Sequence, residues 1–111
     1  MKAKVVKGKG EGAKYIEVYA PKIEKMVGLR PYPGTFNLKV ESLPPLDYIE
    51  IPAFGKFGAI KLAPCIVNYE RAFIVVPEKG KHEPNVIEIV AEKNLKALLG
   101  LEDGDFVDIQ F

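Results

Sequence analysis

Hydrophobic and polar positions alternate along much of this chain, with a period of two. In "TFNLKV", Phe36, Leu38 and Val40 fall on one face, and Thr35, Asn37 and Lys39 fall on the other. That is the pattern of a half-buried strand. "AIKLAP" alternates again, and so does the end of the chain, where Val107, Ile109 and Phe111 are interleaved with Asp108 and Gln110. "AFIVVP" is apolar throughout, as a strand covered on both faces should be. "VIEIVA" is a further strand, interrupted by one charge, Glu88. "YIEVY", Tyr15 to Tyr19, reads as a strand by the same signs. The glycine-rich "GKGEG", Gly8 to Gly12, is therefore expected between two extended pieces, Val5-Val6 and Tyr15–Tyr19.

Two segments change period. In "PKIEKMVG", Ile23, Met26 and Val27 have helical spacing, with Pro21 placed to open the helix and Gly28 to close it. In "NLKALLG", Leu95, Leu98 and Leu99 mark a short helix that stops at Gly100. "ESLPPLD" and "EKGKHEPN" are loops by their prolines and glycine, and "LEDGD" is a turn. The sum is about six strands and two short helices. Strands so closely spaced, without regular βαβ units, predict a mainly β fold, a small barrel or sandwich. A length of 111 residues suits one domain over 1–111.

Composition narrows the function classes. Sixteen Lys and Arg stand against fifteen Asp and Glu. No bulk charge draws the chain to nucleic acid or to a membrane. With one cysteine, Cys65, and one histidine, His82, an internal disulfide and a Cys/His zinc site within one chain are both excluded. The strand-like neighbours of Cys65 mark it as a small buried hydrophobe. The first residues, "MKAKVVKGKGEG", lack the apolar run of a signal peptide, so a cytoplasmic protein is expected.

Three features carry possible chemistry. Glycines let backbone N–H groups approach a phosphate closely, yet "GKGEG" matches neither the Walker A nor the Rossmann pattern. It is either a tight hairpin or a loop over a nucleotide. The rigid Pro31-Tyr32-Pro33-Gly34 turn delivers Thr35 and Asn37 to one side of a strand. Their hydroxyl and amide carbonyl are hard neutral ligands, suited to a magnesium ion whose negative partners are phosphates. Glu88 is either a solvent-facing strand residue or a group that meets a substrate.

Taken in order, "GKGEG", "GLRPYPGTFNLKV", "FIVVP" and "VIEIVAEKNLKALLGLEDGDFVDI" resemble the archaeal CTP-dependent riboflavin kinase family over nearly the whole chain. The resemblance implies a six-stranded cradle-loop β-barrel with two short helices. It implies transfer of the CTP γ-phosphate to the ribityl 5′-hydroxyl of riboflavin, giving FMN and CDP with Mg2+. By the same resemblance Gly8, Lys9, Gly10, Glu11, Gly12 and Ala13 match the nucleotide-phosphate loop. Lys93, Asn94, Leu95 and Lys96 match a second nucleotide-binding segment, and Thr35 and Asn37 match the metal ligands. Glu88 matches a flavin-contacting glutamate and is the candidate catalytic residue. Gly80 stands where the family often has a flavin-contacting threonine, so only its backbone is left to serve. Some members carry an N-terminal winged-helix domain, which is not expected over residues 1–111. Two other readings compete: a barrel module of the DNA-binding regulator kind, which would need a basic face, and a flavin or nucleotide carrier that performs no chemistry.

Overall fold

The longest pairing in the molecule joins β4 (Ile60–Val67) to β5 (Glu70–Pro77) along all eight residues of each strand. Asn68 and Tyr69 turn the chain between them at φ 44° and 71°. Such left-handed two-residue turns match the twist of a hairpin. Around this ribbon the computed structural model, which describes residues 1–8, 12–78 and 83–111, builds a closed sheet. The other elements are β1 (Lys2–Val6), α1 (Gly12–Val27), β2 (Phe36–Lys39), β3 (Ile49–Ile51), β6 (Val86–Val90), α2 (Leu95–Leu98) and β7 (Phe106–Gln110).

Neighbouring strands run β4-β5-β6-β2-β1-β7, and β7 returns to pair with β4 through Ile66–Gln110 and Val67–Ile109. That contact closes six strands into a ring, as expected. β3, which the sequence reading missed, extends the other end of the same β4 edge. Closure leaves no exposed edge along the ring.

Alternation sorts the side chains into two cores. Val5, Leu38, Cys65, Ile74, Ile89 and Ile109 belong to a cluster drawn from every ring strand, so it fills the interior. Leu62, Phe73 and Val75 of β4 and β5 face the other way, onto Ile16, Tyr19 and Ile23 of α1. "AFIVVP" is apolar throughout for this reason: one face looks into the barrel and the other lies under a helix. Each such Leu, Ile or Phe contributes about 1.5–3 kcal/mol of burial. Cys65 is a buried interior residue, and burial pushes its thiol up to about 12.

The strand expected at Tyr15–Tyr19 is instead the first half of α1, a helix of 16 residues. Its buried residues are Ile16, Tyr19, Ala20 and Ile23, spaced three and four apart. A helix placed on the apolar outer face of β3, β4 and β5 buries all four together; a strand would have turned Ile16 and Tyr19 to opposite sides. Pro21 accordingly lies inside the helix and does not start it. Gly28, at φ 74°, does end it. The glycine segment thus joins a strand to a helix N-terminus rather than two strands.

Candidate active site

The site is assembled where β1, the Pro31–Gly34 turn, β2 and the start of α2 meet. The turn is tied down by Tyr32, whose N–H donates to the Ala91 carbonyl at 2.7 Å. Gly34 has φ 129°, a conformation in which a side chain would be strained. Thr35 follows it, and Phe36 and Leu38 then anchor β2 against the barrel core. With those two facing inward, Thr35 and Asn37 face outward.

Both meet the glycine segment. Gly8 lies just beyond the end of β1, whose last residue Val6 pairs with Asn37. A Cβ on Gly8 would collide with the Asn37 amide nitrogen. A Cβ on Gly12, the first residue of α1, would lie 2.8 Å from both the backbone N and the Oγ1 of Thr35. The two ends of the glycine segment therefore sit on the two candidate metal ligands. Lys9, Gly10 and Glu11 lie outside the described residues, as do Gly80 and His82. Ala13 is exposed on the first turn of α1.

Gly8, Thr35, Asn37, Lys93, Asn94, Leu95 and Lys96 together line a cavity of about 230 Å3. The sequence reading grouped these residues from separate segments, and the fold brings them into one place. Their roles differ on inspection. Asn94 caps α2, its Oδ1 accepting from the Ala97 N–H at 3.1 Å. Leu95 is buried in the barrel core. Lys96 pairs with Asp103 at 2.7 Å. Lys93 forms no ion pair among the described residues, so its ammonium is the cation left for an anion in the cavity.

Glu88 lies on β6 directly across from Asn37 of β2 and, on its other side, across from Val75 of β5. Directly opposed residues of neighbouring strands share one face. Glu88 is thus half-buried on the outer face, beside Asn37 and under α1, though it lines the wall of neither cavity.

A second cavity, of about 450 Å3, opens on the α1 side of the same face, lined by Lys14, Tyr15, Tyr19, Phe57 and Pro77 among others. Tyr19 packs edge-on against Phe54 at 5.4 Å between centroids and lies 5.1 Å from Tyr15. Its hydroxyl donates to the Gly58 carbonyl at 2.7 Å. The Lys22 ammonium stands 4.4 Å over the Phe54 ring. Sequence reasoning missed this cavity entirely. The available signal was "FGKFGA", two phenylalanines and two glycines in an irregular segment, where two large rings outside any strand or helix call for an explanation. Burial raises the phenols of Tyr15 and Tyr19 above their usual value, with smaller contributions from the charge of Glu88 on Tyr15 and of Glu78 on Tyr19. Both are therefore neutral donors at ordinary pH.

The donor set of the smaller cavity bears on the metal. Among the described residues no group of three His, Cys, Asp or Glu could hold an ion. A divalent cation here would rest on Thr35 Oγ1 and Asn37 Oδ1, which suits magnesium only alongside phosphate oxygens. Among the described residues no helix is long and apolar enough to cross a membrane.

Comparison with known proteins places the geometry in a family. The family model CTP-dep_RFKase, described as "Domain of unknown function DUF120", matches residues 5–111. A riboflavin kinase from Thermococcus kodakarensis is 38% identical over 96% of this chain and 56% of its own length. One from Pyrobaculum arsenaticum is 39% identical over 96% of this chain and 58% of its own. One from Methanopyrus kandleri is 38% identical over 95% of this chain and 78% of its own. The chain thus spans little more than half the length of the Thermococcus and Pyrobaculum proteins. With the match covering the glycine segment, the Thr35–Asn37 strand, Glu88 and the α2 segment alike, the chain belongs to the CTP-dependent riboflavin kinase family.

Proposed function

We propose that this chain transfers the γ-phosphate of CTP to the ribityl 5′-hydroxyl of riboflavin, giving FMN and CDP. The observation that carries the reading is the seating of Gly8 and Gly12 on Asn37 and Thr35, with Glu88 across from Asn37. The cavity lined by Thr35, Asn37 and Lys93 and the aromatic cavity beside α1 then supply separate places for the two substrates.

The nucleotide occupies the smaller cavity. The first turn of α1 has N–H groups without partners inside the helix, and its positive end favours the phosphates. Lys93 adds a positive charge from the opposite wall. Thr35 Oγ1 and Asn37 Oδ1 would hold a magnesium ion, which when bound neutralises phosphate charge. The flavin ring stacks in the aromatic cavity, whose volume and lining suit a planar apolar ligand. Its ribityl chain runs toward Glu88. The 5′-oxygen attacks the γ-phosphorus, the new O–P bond forms, and the bond to the β–γ bridging oxygen breaks. CDP leaves with that electron pair, and the hydroxyl proton passes to the Glu88 carboxylate. Positioning and charge neutralisation are the main demands of such a transfer.

Incubation of the purified protein with riboflavin, magnesium and either CTP or ATP tests the reading. FMN is expected, with CTP the better donor. Flavin or nucleotide binding with no FMN from any nucleoside triphosphate would leave a carrier in its place.

A further inference from the structure

Tyr15 stands on the first turn of α1, three residues after the glycine that abuts Thr35. Its hydroxyl oxygen is shut off from solvent and finds no hydrogen-bond partner among the described residues. A buried phenol in that state has given up water and received nothing, which costs stability. Tyr19, one turn on, meets the same burial by donating to the Gly58 carbonyl. Tyr15 has no such carbonyl among the described residues. Its ring lines the aromatic cavity and packs against the cluster that holds Val75, the residue directly opposite Glu88 on the same face of the sheet. Burial and the charge of Glu88 keep the phenol protonated, so it remains a donor. A phenylalanine would fill the same space without the unsatisfied oxygen, so the hydroxyl needs a reason outside the unliganded fold.

We propose that Tyr15 is the positioning residue for Glu88: with riboflavin in the aromatic cavity, its hydroxyl donates a hydrogen bond to the Glu88 carboxylate and fixes that carboxylate against the ribityl 5′-hydroxyl. The inference rests on the kinase reading above. The Tyr15 hydroxyl touches neither the nucleotide nor the phosphoryl group, and its effect passes through Glu88.

The test is a double-mutant cycle of Tyr15→Phe and Glu88→Ala, read by FMN formation, together with thermal melts of each free protein. Tyr15→Phe should lower kcat about tenfold and leave the KM for CTP within about twofold. In the Glu88→Ala background the same change should matter less than about twofold, because the group it acts on is gone. The melting temperature of free Tyr15→Phe should rise, since an unsatisfied buried hydroxyl has been removed. Equal losses in both backgrounds, or a lowered melting temperature with unchanged kcat, would make Tyr15 a structural residue and overturn the inference while the kinase reading stands. Wild-type protein that forms no FMN would overturn the kinase reading itself, and this inference with it.

Discussion

The two cavities are built from different materials. The smaller has backbone turns and short side chains in its wall, at Gly8, Gly34, Thr35, Asn37 and Asn94, beside the larger Phe36, Ile89 and Leu95. The larger is walled by rings, those of Tyr15, Tyr19 and Phe57. Geometry in the first is set by main-chain conformation and by places where a Cβ has no room. Geometry in the second is set by side-chain packing, which yields in small steps. Substitutions on the nucleotide side should therefore act abruptly and those on the flavin side by degrees, each sparing the other substrate.

The largest effect is expected at Thr35 and Asn37. Thr35→Val keeps shape and strand propensity but removes the hydroxyl, and Asn37→Leu removes the amide. Each should keep the fold, raise the magnesium requirement and cut turnover about 10²-fold, a loss near 2.7 kcal/mol of transition-state stabilisation. Magnesium titrations of both variants would show it, and wild-type magnesium dependence in either would make that residue a plain strand position. Glu88→Gln comes next. It keeps the shape and removes the charge on the strand between the cavities. We expect kcat/KM for riboflavin to fall about 30-fold, roughly 2 kcal/mol, with CDP affinity unchanged by calorimetry. A CDP affinity that falls in step with the turnover would break the division.

Gly8 and Gly12 sharpen the same comparison. An added Cβ at Gly12 meets the backbone nitrogen of Thr35 at 2.8 Å, which cannot swing aside, so any side chain there disturbs the start of β2 itself. At Gly8 the obstacle is the end of the Asn37 side chain, which can rotate away. Gly8→Ala is thus the cleaner change: the barrel should melt within a few degrees of wild type while CDP binds about tenfold more weakly, about 1.4 kcal/mol. Unchanged CDP affinity would separate Gly8 from the nucleotide.

The smaller cavity was far more legible in the sequence than the aromatic one, for physical reasons. A strand declares its faces at period two, so Thr35, Asn37 and Glu88 could be placed from their neighbours alone. Pairing β1 with β2 then brings Gly8 to Asn37 across about thirty residues, which the glycine pattern suggests but spacing cannot fix. α1 was misread because "YIEVY" is rich in residues that favour strands. Its helical period appears only when Ile16, Tyr19, Ala20 and Ile23 are read together. The aromatic cavity needs that helix in place, since Tyr15 and Phe57 come from a helix and an irregular segment that share no local pattern. β3, three residues long, falls below what periodicity can resolve.

The smallest effect is expected at Phe57, and it tests whether the flavin side responds by degrees. Phe57 is held by a two-way backbone bridge to Phe54, at 3.0 and 2.8 Å. Its ring centroid lies 5.5 Å from that of Phe54 and 6.3 Å from that of Tyr19. The Lys56 ammonium stands 5.8 Å from it. Phe57→Leu keeps an apolar side chain on the same bridge and removes only the ring. Ring-on-ring contacts are worth about 0.5–1.5 kcal/mol beyond the area they bury. The KM for riboflavin should therefore rise about fivefold, near 1 kcal/mol, while the KM for CTP stays put. The same loss of packing against Tyr19 should lower the melting temperature by a few degrees. Kinetics with each substrate varied in turn would decide it. A CTP KM that rises in step with riboflavin's would mean the cavities respond as one site, and the division drawn at Glu88 would have to be abandoned.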